Sequence, residues 1–246
     1  MDKKILNVIK EEAALRYPNE ACGVIVKDGK KARAIPCRNV SKEPRTRFLI
    51  DPEQHSQIAD KAEILSIWHT HVDCYPRPSD IDKAGCELHG IPWHIVSIYK
   101  TDAGFEFSEP TTIEPCGYEA PYLERPYVYG IYDCYSLVRD FYKREFGIVL
   151  GDYGRVEEFW KKGYNAFMDN YEKEGFVVVP SDAGAQRGDL MIIQIDGDIP
   201  NHIVIYEGDE VILHHCEGRL STRHIYGGFW AKHTIAHIRH KDLMKC

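Results

Sequence analysis

Two histidines stand one residue apart in the stretch WHTHVDCYPRPSDID, Trp68 to Asp82, and a serine and an aspartate follow them after a turn. On a strand, His69 and His71 are i and i+2. Both imidazoles therefore leave one face, at the carboxyl end of ILSIWHTH, where a loop leaves room for a ligand. Asp82 lies three residues after Ser79, in the first turn of the next helix, and its carboxylate can swing toward the same point. Two imidazoles and one carboxylate give Zn2+ three protein ligands and leave the fourth tetrahedral position to water, which is the pattern of a catalytic centre. Iron or cobalt would accept the same donors. The water needs a base, and Glu20, in NEACG ahead of the first strand, is the candidate. Ser79 could donate to the oxyanion that forms as water attacks a carbonyl. HxH alone more often occurs as two polar residues leaving a strand end, with Ser79 a helix cap. His89 and His94 read as surface or core histidines.

The second half holds a different reactive group. Cys134 follows Asp133 and opens the amphipathic helix DCYSLVRDFYKREFG. A thiol at a helix N-terminus feels the macrodipole, which favours the thiolate and so a nucleophile. It needs an imidazole to share the proton and return it to a leaving amine, and His202 in NHIVIY offers one. His214 lies twelve residues further on, on the next strand, and antiparallel pairing across the turn EGDE brings it alongside as the orienting group. His215 competes for that role, but strand alternation puts it on the opposite face. Taken by themselves these residues read equally as a buried cysteine with unrelated histidines nearby.

The surrounding elements divide near the middle of the 246 residues. Ile5, Val8, Ile9 and Ala13 recur at helical spacing, and ACGVIVKDGKKARAIPCRNV reads as a hairpin turning at Asp28 and Gly29. PEQHSQIADKAE is a second helix, SDIDKAGCELHG a third capped by Ser79, and WHIVSIYK a further strand. Periodicity then fades through SEPTTIEPCGYEAPYLERP, whose four prolines mark a linker or docking arm. Beyond it come the Cys134 helix, ended by Gly147, and the short strands GDLMIIQI, NHIVIYEG and EVILHHC. The expectation is an α+β chain of two domains, residues 1–108 and 125–246, joined by a linker at 109–124.

Composition narrows the function classes. A formal charge of −7 argues against a nucleic-acid backbone binder. No run reaches membrane-spanning length, and charges interrupt the apolar positions at the N-terminus, so we expect neither a membrane span nor a signal peptide, and folding in a cytosol. The eight cysteines include no CxxC pair, and most should be reduced and buried.

Glu20, then H-x-H, seven residues, serine, two residues and aspartate resembles the signature of the JAMM (MPN-type) metallopeptidases, over residues 1 to about 108. The resemblance implies zinc on His69, His71 and Asp82, Glu20 as general base, Ser79 as oxyanion support, and peptide or isopeptide bonds as substrate. Val72 stands where that family usually has proline. RPYVYG, YDCYSLVRDFY, RGDLMII, HIVIY and ILHH resemble, in order, the segments of the papain-like NlpC-type cysteine peptidases, over roughly residues 120 to 240. That implies Cys134 as nucleophile, His202 as base, His214 as the orienting residue and Tyr127 as a helper near the oxyanion. Tyr135 replaces a common serine, which would narrow the cleft, and GDYGRVEEFWKKGYNAFMDNYEKE enlarges the gap before the strands as a lid or partner surface.

A fusion of the two resembles a tail-assembly family of lambda-like bacteriophages. It implies a tail-tip hydrolase acting on bacterial peptidoglycan peptides, with other tail-tip proteins as partners, made in the host cytoplasm and carried on the virion tail tip. The alternative is a structural tail-assembly factor whose sites are inactive or act only in maturation of a tail protein. A cellular deubiquitinase-like isopeptidase would use the front half alone, and the second domain argues against it.

Overall fold

The computed structural model describes residues 1–152, 158–180 and 182–244. The chain divides into two compact units, Met1–Glu119 and Ala120–Cys246.

In the first unit, α1 (Lys3–Arg16) starts at Asp2, whose carboxylate accepts the Lys4 N–H at 2.7 Å. Its buried stripe, Ile5, Ile9 and Ala13, covers Trp68, Val96 and Ile98. β1 (Cys22–Asp28) and β2 (Lys31–Cys37) form an antiparallel hairpin. It turns at Gly29, whose φ of +60° a residue without Cβ adopts freely. Then come α2 (Pro52–Ala59), β3 (Ile64–Val72), α3 (Asp80–His89), β4 (Trp93–Thr101), β5 (Gly104–Phe107) and β6 (Thr111–Ile113). The sheet order is β2-β1-β3-β4-β5, with β6 also on β4.

Because β3 and β4 are parallel, the chain must cross between opposite ends of the sheet, and α3 is that crossover. Its N-terminus therefore follows directly on the carboxyl end of β3, where the two histidines lie. β3 is buried from Ser66 through His71, as expected of a strand covered on both faces. The face away from α1 packs Val24, Val26 and Ile67 with Cys86 of α3 and Trp93. Gly85 permits this approach: a Cβ there would lie 2.9 Å from Cζ2 of the Trp93 indole and closer still to Cη2.

The segment expected as a linker is partly built into this unit. Thr111–Ile113 pairs with Trp93–Ile95, and the Glu87 carboxylate accepts the N–H groups of Cys116 and Tyr118 at 2.5 and 3.0 Å. A three-residue edge strand beside prolines carries no period to read.

In the second unit, α4 (Cys134–Phe146) runs from Asp133, which accepts the Ser136 N–H at 2.7 Å, to Gly147 in the left-handed region (φ +69°). The strands are β7 (Phe176–Val178), β8 (Leu190–Ile193), β9 (His202–Gly208), β10 (Val211–His214), β11 (Thr222–Ile225) and β12 (Thr234–His240), with the short α5 (Phe229–His233) before the last. They form one antiparallel sheet in the order β11-β10-β9-β8-β12-β7. Strand alternation divides its residues. Leu190, Ile192, Ile203, Ile205 and Leu213 pack with Leu137, Val138 and Phe141 of α4. Met191, Ile193, Val204 and Ile212 cluster with Trp230 of α5. Asp189, fully buried before β8, accepts from Arg239 Nε at 2.7 Å and pairs with His237 Nε2 at 2.6 Å, tying β8 to β12.

Both units mix helices with one sheet, so the chain is α+β. No helix among the described residues is long and apolar enough to cross a membrane. The described cysteines are all free thiols: Cys22, Cys37, Cys86 and Cys134 are buried, Cys216 is half-buried, and Cys74 and Cys116 are exposed, while Cys246 lies outside the described residues. Residues 153–157 of the stretch expected to be a lid or partner surface also lie outside them. Further along that stretch, Phe159, Ala166 and Phe167 are core residues. Tyr135, expected to narrow the cleft, is buried too, its ring near Phe167 and its hydroxyl donating to the Gly151 carbonyl at 3.1 Å.

Candidate active sites

β3 and the start of α3 bring His69, His71 and Asp82 together. His69 Nε2 is 3.2 Å from His71 Nε2 and 3.2 Å from Asp82 Oδ1, and His71 Nε2 is 3.4 Å from Asp82 Oδ2. Zinc bound tetrahedrally at about 2.0–2.1 Å requires donors about 3.3–3.4 Å apart. The three residues fit that cation. The capping box of α3 places the carboxylate: Ser79 Oγ accepts the Asp82 N–H at 3.1 Å, and Asp82 Oδ2 accepts the Ser79 N–H at 2.7 Å and its hydroxyl at 2.8 Å. His71 Nδ1 lies 3.2 Å from the Tyr75 carbonyl; a proton there leaves the Nε2 lone pair facing the cluster. The His69 ring is held by packing instead, stacked on Phe48 with centroids 4.5 Å apart and edged by Trp93.

Glu20 is buried beside this cluster. Its backbone is fixed from both sides, the N–H donating to the Pro44 carbonyl at 2.7 Å and the carbonyl accepting from Asn39 Nδ2 at 3.0 Å. Burial pushes its carboxyl up to about 8, with the Asp82 charge adding to the rise and His71 opposing it. Burial would raise Asp82 as well, yet His69, His71 and the Ser79 N–H together hold it well below the usual range.

In the second unit the candidate residues fall into two groups. Cys134 takes the first helical position of α4, beside the Asp133 cap. Burial and the neighbouring Cys134 push the Tyr127 hydroxyl far up, and the Tyr127 ring lies 5.1 Å from that of His215. His202 and His214 form the other group. His202 Nε2 is 3.2 Å from His214 Nδ1, and Cys216 Sγ lies 3.7 Å from the former and 3.5 Å from the latter. His214 Nε2 in turn meets His224 Nδ1 at 2.7 Å. Trp230 packs against all three imidazoles, at centroid distances of 4.4 to 5.9 Å. His202 makes polar contacts with His214 and with Cys216. Burial lowers His202 to about 3 and His214 and His215 each to about 4, so all three are neutral at pH 7 with a lone pair to offer.

Cys216, His224 and Trp230 were not singled out in the sequence. Cys216 had a signal: it stands two residues after His214, the same spacing that links His69 to His71.

Two family descriptions match the chain: "Prokaryotic homologs of the JAB domain" over residues 2–109 and "NlpC/P60 family" over residues 124–239. The tail tip assembly protein K of Escherichia phage N15 is 38% identical over 245 residues, covering 99% of this chain and 97% of its own. The chain belongs to the tail tip assembly protein K family. The family's representative in Escherichia phage lambda is 32% identical over 196 residues, 78% of this chain and 89% of its own. A desampylase of Haloferax volcanii is 32% identical over 102 residues, 38% of this chain and 73% of its own. The fusion expected from the sequence is thus the domain content of this chain, a JAB-type domain followed by an NlpC/P60 domain.

Proposed function

We propose that this chain is a tail-tip hydrolase: a cysteine endopeptidase of peptidoglycan peptides in its second unit, with a zinc-dependent peptidase or isopeptidase in its first. Membership of the tail tip assembly protein K family and the two matching domain families support the reading. The observation that carries the metallopeptidase half is the preformed triangle of His69, His71 and Asp82 with buried Glu20 beside it. These three residues would hold Zn2+, whose chemistry when bound is to polarise a carbonyl and acidify a water. Glu20 then takes and returns a proton at its carboxylate. The Ser79 hydroxyl, which donates to Asp82 at 2.8 Å, then turns to support the substrate oxyanion.

In the second unit the Cys134 sulfur attacks the scissile carbonyl carbon, its proton passing to the imidazole of His202, and the carbonyl π pair moves to oxygen. Collapse breaks the C–N bond, the imidazolium proton goes to the leaving amine, and water hydrolyses the thioester to release the acid and restore the thiol. His214 orients His202, and Tyr127 stands near the oxyanion. In the structure His202 Nε2 lies 3.2 Å from His214 Nδ1 and 3.7 Å from Cys216 Sγ. Similarity to a protein named for tail-tip assembly favours a second reading, an assembly factor acting through contacts with other tail-tip proteins. The protein would be made in the host cytoplasm and carried to the virion tail tip.

Incubating purified host cell wall with wild type, Cys134→Ala and His71→Ala, scored for released amines, tests this. Loss in the cysteine variant alone assigns wall hydrolysis to the second unit. No release from wild type supports the assembly role.

A further inference from the structure

We propose that His202 Nε2, His214 Nδ1 and Cys216 Sγ form a second transition-metal site, a two-imidazole, one-thiolate centre suited to Zn2+, which in its loaded state locks the second unit. The three donors are separated by 3.2, 3.5 and 3.7 Å. A tetrahedral zinc with nitrogen at about 2.0–2.1 Å and sulfur at about 2.3 Å requires N···N near 3.3 Å and N···S near 3.6 Å. The triangle thus has metal-centre dimensions with its longer edges at the sulfur. The outer contacts match as well. A proton on His214 Nε2, donated to His224 Nδ1 at 2.7 Å, leaves the Nδ1 lone pair directed at His202 and Cys216; such an outer acceptor is the usual device that fixes a ligating imidazole. A cavity of about 450 Å³ is lined by His214, Cys216, Arg219, His224 and Trp230 and gives a fourth ligand its place.

Three elements build the centre. Pairing of β9 with β10 sets His202 beside His214, alternation past the end of β10 carries Cys216 to the same face, and β11 supplies His224. Binding releases the Cys216 thiol proton to solvent and forms one Zn–S and two Zn–N bonds, with no change of oxidation state. Both lone pairs are then occupied, so His202 cannot take the Cys134 proton. This lock rests on the peptidase reading above; the metal site does not.

The full-length chain loaded with Co2+ tests the site, because the first-unit triangle contains no sulfur. Wild type should show a thiolate-to-cobalt charge-transfer band in the near ultraviolet, kept in His71→Ala and in Cys134→Ala and absent from Cys216→Ser. Bound zinc should fall from two per chain to one in Cys216→Ser. On the unaltered chain, zinc should shield Cys216 from iodoacetamide, read by peptide mass spectrometry, which needs no variant to fold. A wild type without the band, or a band surviving in Cys216→Ser, overturns the site. The lock has its own readout: chelation should raise peptide release from cell wall, and added zinc should suppress it. Zinc that leaves release unchanged in a chain showing the band overturns the lock, while no release in any state counts against the peptidase reading and leaves the cobalt result standing.

Discussion

Adding one methyl group at Gly85 should weaken the first-unit metal centre without touching a ligand. A Cβ there would sit 2.9 Å from Trp93 Cζ2 and closer to Cη2, against an ordinary carbon contact of about 3.5–4.0 Å. Trp93 is 1% exposed, with no room to yield, so α3 must retreat by on the order of 1 Å, and such overpacking costs about 1–3 kcal/mol. Alanine's better helix propensity returns roughly 1 kcal/mol, leaving a net loss of up to about 2 kcal/mol. Asp82 moves with its helix. Metal sites tolerate ligand displacements of only about 0.2 Å, so zinc affinity should fall roughly 10- to 100-fold, as it does when groups that position ligands are removed. The assay pairs a competition titration against a chromophoric chelator with urea denaturation, using Lys83→Ala in the same helix as control. Gly85→Ala with wild-type zinc affinity and wild-type stability would refute the argument that packing of α3 on Trp93 sets the position of Asp82.

Three further outcomes follow from the same geometry. The Asp189 carboxyl, which burial would raise, is held below its ordinary 3.8 by Arg239 and His237. A lowered folded value stabilises above 3.8 and is lost as pH falls through it, so Asp189→Asn should flatten the stability loss below about pH 4 and cost about 3–5 kcal/mol at pH 7 by stranding Arg239; urea midpoints across pH check both. Buried His202, His214 and His215 lie at about 3, 4 and 4 in the fold against 6.5 unfolded. The unfolded chain therefore takes protons first, and the metal-free protein should lose stability from pH 6.5 down toward 4, by at most about 1.4 kcal/mol per histidine per pH unit; a urea midpoint that stays flat between pH 7 and 5 contradicts this burial. Zinc at about 1,000 times its dissociation constant should stabilise the native chain by about 4 kcal/mol, and scanning calorimetry of His71→Ala should show part of that gain missing.

Much of the front geometry was legible because two local rules fix it. The period of two puts His69 and His71 on one face, and the Ser79 cap fixes where α3 begins and hence where Asp82 falls. The limits of α4 were equally local, in Asp133 and Gly147. The built portion of 109–124 was not legible, because β6 is too short to show a period and is held by pairing to β4. The partners of His202 were hidden for a different reason. They depend on the register of β9, β10 and β11 and on Trp230 in a five-residue helix without a side-chain cap, none of which a local pattern reports. Cys216 could have been found by applying the His69 and His71 rule one strand further.

β9 and β10 meet at Asp209 and Glu210, two non-glycine residues with φ of 49° and 60°, the backbone of a tight two-residue hairpin turn. Tyr206 holds the turn by accepting the Glu210 N–H on its hydroxyl at 3.0 Å. Shortening this corner by one residue would send His214 and Cys216 through to the far side of the sheet and bring His215 up in their place. The placement of His214 and Cys216 beside His202 is thus set by the length of a surface corner, and a one-residue deletion there should break that cluster as surely as loss of a donor.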